Sequence, residues 1–161
     1  MENGNDRAGF MLAGVYANGL FGETQDIRKA NELYLIAGEL GCAEAYHNLG
    51  NAYSNGRAVE VDEEKAKHYW ELAAMGGDVM ARCNLGFNEV KSGNLQRAKK
   101  HFLISAREGD KNSLDRFQAG FRNGIVTKHE YEEALRAYHN RQLEMKSDVR
   151  DVSATFSVYR E

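Results

Sequence analysis

The feature that most constrains this chain is that it repeats itself. Ala30, Ala37 and Gly41 recur 36 residues on as Ala66, Ala73 and Gly77. Ala45, Leu49 and Gly50 recur at the same distance as Ala81, Leu85 and Gly86. Ala66, Ala74 and Gly77 return 32 residues on as Ala98, Ala106 and Gly109, and Gly4 and Ala8 stand 37 residues before Gly41 and Ala45. A period of this size marks a supersecondary unit that cannot bury its apolar face alone and must stack on its neighbours.

Within each unit the spacing is helical. Ala45, Leu49, Ala52 and Tyr53 fall at i, i+4, i+7 and i+8, the stripe one helix face buries. Ala66, Tyr69, Trp70, Ala73 and Ala74 form a second stripe of the same period, with Tyr53 and Trp70 expected to be buried. Asp26, Asp62 and Asn94 each stand four residues before a repeat alanine, where a side-chain oxygen can cap the free amides of a helix start. Thr127 and Glu130 read as a capping box. Asn-Gly occurs in "YANGL" at 16–20, "YSNGR" at 53–57 and "FRNGI" at 121–125. The pair is a strong hairpin signal in strands. Here its glycine follows the last aromatic of a helical stripe by three residues, so it is expected to stop a helix in the left-handed conformation. With 16 glycines and no proline, glycine does all the punctuation. The chain therefore reads as all-α, with about four antiparallel helix pairs: 6–18 with 26–40, 42–55 with 62–76, 78–92 with 94–108, and 111–123 with 127–146. Small residues would let the helices approach while aromatic residues and leucine fill the layers.

The stretch from Ala45 to Gly86 resembles the Sel-1-like repeat, a relative of tetratricopeptide repeats. The resemblance rests on Ala45, Leu49-Gly50, Tyr53, Gly56, Val59, Asp62, Lys65-Ala66, Tyr69, Ala73-Ala74, Gly77 and Ala81. It implies a right-handed α-solenoid over 1–146, in units of about 4–40, 41–76, 77–108 and 109–146, followed by a C-terminal extension or cap at 147–161. It also implies a protein-interaction adaptor. "KHFLISAREGDKNSLDRF" and "ALRAYHNRQLEMKSDVRD" resemble a diatom-type algal branch whose members often carry a RING-type zinc finger, which implies a ubiquitin-ligase context. Two cysteines cannot supply such a finger, the third unit loses the loop found at 56–59, and the fourth has Phe117 and Phe121 for Leu and Tyr. The start resembles the tail of a missing helix, so a fragment is expected.

The net charge of −3 offers no basic stripe for nucleic acid. No apolar run approaches the length of a membrane span, and the acidic start is unlike a signal peptide. A cytoplasmic monomer is expected, with the nucleus as the alternative location. "QRAKKHF" at 96–102 reads as a solvated helix face. His47, His68, His101, His129 and His139 form no zincin pair and there is no phosphate-binding glycine loop, so neither metal nor cofactor is expected. The sharpest catalytic alternative is a cysteine hydrolase using Cys83 activated by His47, which occupy equivalent slots in consecutive units. A third reading is a structural module that assembles end to end.

The favoured reading is a non-catalytic scaffold holding a peptide or partner protein on its concave face, lined by the first helix of each unit. One column there would hold Met11, Asn48, Asn84 and Arg116, each preceding a buried Leu or Phe. A second runs Phe10, His47, Cys83 and Asp115, and a third Gly14, Asn51, Phe87 and Ala119. Candidate partner-binding residues are Asn48, Asn51, Asn84, Phe87, Arg116 and His47. Asparagine suits an extended peptide backbone, Arg116 a carboxylate, and Phe87 an apolar side chain. For Asn48 and Asn84 a role in bonding neighbouring helices stands beside this one.

Overall fold

A computed structural model describes residues 4–158, with side chains over 4–149. These residues form eight α-helices and no strand. The chain divides into two compact units, residues 1–93 and 94–161. That boundary passes between the two helices of the third pair set out above.

The first unit contains α1 (Gly4–Asn18), α2 (Ile27–Glu39), α3 (Ala43–Asn55), α4 (Glu63–Met75) and α5 (Val79–Lys91). Each packs on the next in sequence. Ala13, Ala30, Tyr34, Ala37, Cys42, Ala45 and Leu49 make one buried layer. Ala66, Trp70, Ala73, Ala74, Ala81 and Leu85 make another. The repeated small residues bring backbones and aromatic rings together: a β-carbon at Gly38 would meet the Tyr46 ring at 2.6 Å, and one at Gly50 would overlap the Trp70 indole. Tyr53, expected to be buried, is half-buried. Its ring stacks on Tyr69 at 5.6 Å, and Tyr69 stacks in turn on Tyr46 at 5.9 Å.

The Asn-Gly pairs end helices. Gly19, Gly56 and Gly124 have φ of 64°, 66° and 73°. The next amide in each case bonds five residues back, Leu20 to Val15, Arg57 to Ala52 and Ile125 to Gly120, which is the Schellman arrangement. At the helix starts, Asp26 accepts from the Lys29 amide at 3.0 Å and Asp62 from the Lys65 amide at 2.9 Å. Asn94 does not act as expected: its backbone is not extended and its side chain makes no capping bond to α6. Two caps were missing from the sequence reading, Asp78 to the Ala81 amide at 2.6 Å and Asp110 to the Ser113 amide at 2.7 Å.

Leu49, Leu85 and Phe117 are each 3% exposed, but Leu12 is 45% exposed. Leu49 packs into the layer formed with α1 and α2. Among the described residues no helix precedes α1 to do the same for Leu12.

The second unit contains α6 (Leu95–Arg107), α7 (Lys111–Arg122) and α8 (Lys128–Val158), with α8 packing on both others. Its interior includes Phe102, Ala106, Leu114, Phe117, Val126 and Ala134. The capping box forms: the Thr127 amide donates to Glu130 at 2.7 Å, and the Glu130 amide to Thr127 Oγ1 at 3.2 Å. The last helix continues as one element well past 146. The capping role expected of Phe156, Val158 and Tyr159 concerns side chains outside the described residues.

Candidate protein-interaction site

Helix α3 carries His47, Asn48 and Asn51, and two of these, His47 and Asn51, assemble with Trp70 and Asn84 into one polar network. The Trp70 indole N–H can only donate, and it donates to Asn51 Oδ1 at 3.1 Å. That fixes the Asn51 amide, whose Nδ2 then lies 3.0 Å from His47 Nε2. Asn84, from α5, donates its Nδ2 to Asn51 Oδ1 at 2.9 Å and approaches His47 Nε2 at 3.3 Å. Two amide donors facing Nε2 require it to accept, so the imidazole proton sits on Nδ1, which faces Asp78 Oδ2 at 3.6 Å. Burial pushes the His47 pKa down, and the carboxylates of Asp78 and Glu44 pull it back in part. The ring is thus held neutral as a hydrogen-bonding part. Asp78 serves two purposes, capping α5 and orienting this ring.

Asn48 stands apart from the network. It is half-buried, and among the described residues its side chain makes no hydrogen bond. It lines a cleft of about 80 Å³ between α1, α2 and α3, together with Asn31, Tyr34, Asn51 and Arg57. Asn31 donates to the Arg57 carbonyl at 2.9 Å. On the other side of Asn31 a second cleft of about 230 Å³ is bounded by Leu35, Leu49, Tyr53, Val59 and Tyr69.

The structure therefore brings together His47, Asn51 and Asn84, with Asn48 beside them. Phe87 is half-buried on α5. Arg116 is exposed on α7, in the second unit. The sequence reading missed Asp78, Asn31, Tyr34 and Arg57. A signal existed for Tyr34, which stands 36 residues before Trp70. Asp78 holds the position before Ala81 that Cys42 holds before Ala45, and since Cys42 makes no side-chain cap the repeat did not point to it.

The cysteine-hydrolase alternative gains no geometric support. Cys83 is 2% exposed, and both nitrogens of His47 are engaged by Asp78, Asn51 and Asn84. Neither Cys42 nor Cys83 is part of a disulfide. Among the described residues no three His, Cys, Asp or Glu side chains converge as a metal site, and no helix is long and apolar enough to cross a membrane.

The pattern of the Sel1 repeat matches residues 7–42, 43–78 and 80–110. The chain is 32% identical over 94 residues to Protein sel-1 homolog 2 of Homo sapiens, covering 58% of this chain and 14% of that protein. The Mus musculus protein of the same name is 32% identical over 92 residues, covering 57% and 13%. The chain thus spans about a seventh of the curated relatives it matches. Among solved structures, a Sel1 repeat protein from Oxalobacter formigenes superposes with a TM-score of 0.72 at 24% identity, over 86% of this chain and 58% of that one. A protective antigen present in uropathogenic Escherichia coli strains, displaying an SLR fold, gives 0.71 at 25% identity over 84% and 30%. These likenesses place the eight helices in the α-solenoid class.

Proposed function

We propose that this chain, which belongs to the Sel1 repeat family, is a non-catalytic scaffold that holds an extended segment of a partner protein. The face concerned is the one lined by α1, α3 and α5, and Asn48 is its anchor. The observation carrying this reading is the contrast between Asn48 and its neighbours. His47, Asn51 and Asn84 are bound to one another, which makes the lip of the cleft rigid, whereas the Asn48 amide is half-buried with its donors and acceptor unmet. The Asn48 amide is open to water in the free chain, and a peptide bond alongside would meet both of its polar ends. Rigidity before binding reduces the entropy that association costs. The likeness of 100–117 and 134–151 to the algal branch makes delivery of clients to a ubiquitin ligase the cellular setting to examine first, and this is analogy alone.

Affinity capture from a native extract, read by mass spectrometry, tests the assignment with Asn48→Ala and Asn84→Ala side by side. Asn48→Ala is expected to lose partners with its thermal melt unchanged. Asn84→Ala is expected to lower the melt, because it removes the hydrogen bonds by which α5 joins the network, each worth about 0.5–1.5 kcal/mol. Partners retained by Asn48→Ala would move the interface away from this face.

A further inference from the structure

We infer that the small cleft between α1, α2 and α3 is a carboxylate subsite, receiving an acidic side chain or a free C-terminus of the bound segment through Arg57, Tyr34 and Asn48. This rests on the scaffold reading and names the chemistry it selects.

The first argument is the donor set. Arg57 offers a fork of N–H donors, Tyr34 a hydroxyl and Asn48 an amide. None of the three side chains makes a hydrogen bond or ion pair among the described residues. The lining of the cleft includes no acidic residue. That is notable in a chain of net charge −3, where a counter-ion for Arg57 would be easy to supply.

The second argument is preorganisation. Arg57 lies in a loop, yet its backbone is held at both ends: its N–H donates to the Ala52 carbonyl at 2.9 Å, and its carbonyl accepts from Asn31 at 2.9 Å. Gly56 supplies the left-handed turn that makes this placement possible. The backbone that carries the guanidinium is therefore fixed. Tyr34 is 9% exposed, and its phenol is raised by burial and lowered by the charge of Arg57, so the two side chains that line the cleft lie near one another.

The third argument is size. A volume of about 80 Å³ admits a planar carboxylate with one or two waters, each needing roughly 30 Å³. A forked guanidinium meets such a group in two parallel bonds, the arrangement in which arginine outperforms lysine.

The test is titration of the whole chain, ¹⁵N-labelled, with three acetylated alanine pentapeptides followed by NMR. One carries a central glutamate and an amidated end, the second a free C-terminus, and the third is neutral with an amidated end. Saturable shifts of the Asn48 side-chain amide and Arg57 Nε–H are expected with at least one charged peptide. Affinity for the neutral peptide should be about tenfold weaker or less, as for loss of one charged hydrogen-bonded pair. The tighter of the two charged peptides identifies the source of the carboxylate. Arg57→Gln should erase the preference while leaving the melt unchanged, since the side chain is exposed. Equal binding of the neutral peptide would overturn the carboxylate assignment and leave the scaffold reading standing. No saturable shift with any peptide, or a preference that survives Arg57→Gln, would overturn the subsite. Loss of partners in the Asn48→Ala capture is read separately.

Discussion

The two units belong to one repeat array and both carry ion pairs between helices, Lys67–Glu89 and Lys91–Glu63 in the first, but they differ in what else joins their helices. In the first, aromatic residues sit over glycine and alanine, and a hydrogen-bonded network joins α3, α4 and α5. In the second, ion pairs tie α6 to α8: Lys99 meets Glu130 at 2.9 Å and Arg107 meets Glu133 at 2.6 Å. The contrast is sharpest at one repeat position, occupied by Tyr34, then Trp70, then Phe102. Trp70 carries an N–H that orients Asn51, and Phe102 carries no polar atom. A part-buried network of shared hydrogen bonds favours one arrangement, whereas ion pairs near the surface contribute about 1 kcal/mol or less each. The first unit is therefore the one whose surface is held in a defined shape, as a binding face requires.

The largest expected effect tests that network. Trp70→Ala should destabilise by about 3–5 kcal/mol, chiefly from the cavity, with the lost bond to Asn51 added to it. Trp70→Phe keeps most of the ring and removes one donor, and should still cost about 0.5–1.5 kcal/mol, since Asn84 continues to serve the Asn51 oxygen. Phe102→Ala should fall in the same range as Trp70→Ala through its cavity alone. Urea denaturation followed by hydrogen exchange over each unit measures all three. A neutral Trp70→Phe would mean the network does not hold the first unit, and the contrast between the units would collapse.

A smaller effect sharpens the same comparison at the helix caps. Asp78 and Asp110 occupy equivalent places, before α5 and before α7. Removing either cap by substitution to Ala should cost about 1 kcal/mol. Asp78→Ala should cost more than Asp110→Ala, because Asp78 also faces Nδ1 of His47. Thermal melts of the two variants decide it. An Asp110 effect equal to or above that of Asp78 would show that the carboxylate contributes to α5 alone.

How much of this was legible in the sequence follows the same division. Helices, their Asn-Gly stops and the caps at Asp26 and Asp62 could be read because they depend on local residue type and spacing. Asp78 and Asp110 obey the same rule, but sit at a position held by Cys42 one repeat earlier, so the period did not point to them. Asn94 shows the reverse: a good cap residue in the right register fails because its backbone is not extended. The exposure of Leu12 depends on which helix lies beside it, which spacing within one helix cannot tell. The asparagine columns located His47, Asn51 and Asn84 together. Which amide turns inward and which stays open depends on long-range partners such as Trp70, and the cleft at Arg57 depends on a loop folding back onto α2.

The smallest effect is the dependence on pH, and it separates the units by window. Burial holds the folded pKa of His47 below its ordinary value near 6.5, against the pull of Asp78 and Glu44. The unfolded chain therefore takes up this proton first as pH falls, and the first unit should lose stability below about 6.5. His47→Gln should flatten that slope. In the second unit Glu130 is held at about 2, chiefly by the Thr127 amide and then by Lys99. Its contribution is complete above the ordinary carboxylate range and is lost as pH falls from about 4.5 towards 2. Glu130→Gln should remove that second slope without touching the first. Hydrogen exchange between pH 7 and pH 5 should thus loosen α3 to α5 before α6 to α8. If α6 to α8 loosen first, His47 is not the group that makes the first unit sensitive to mild acid.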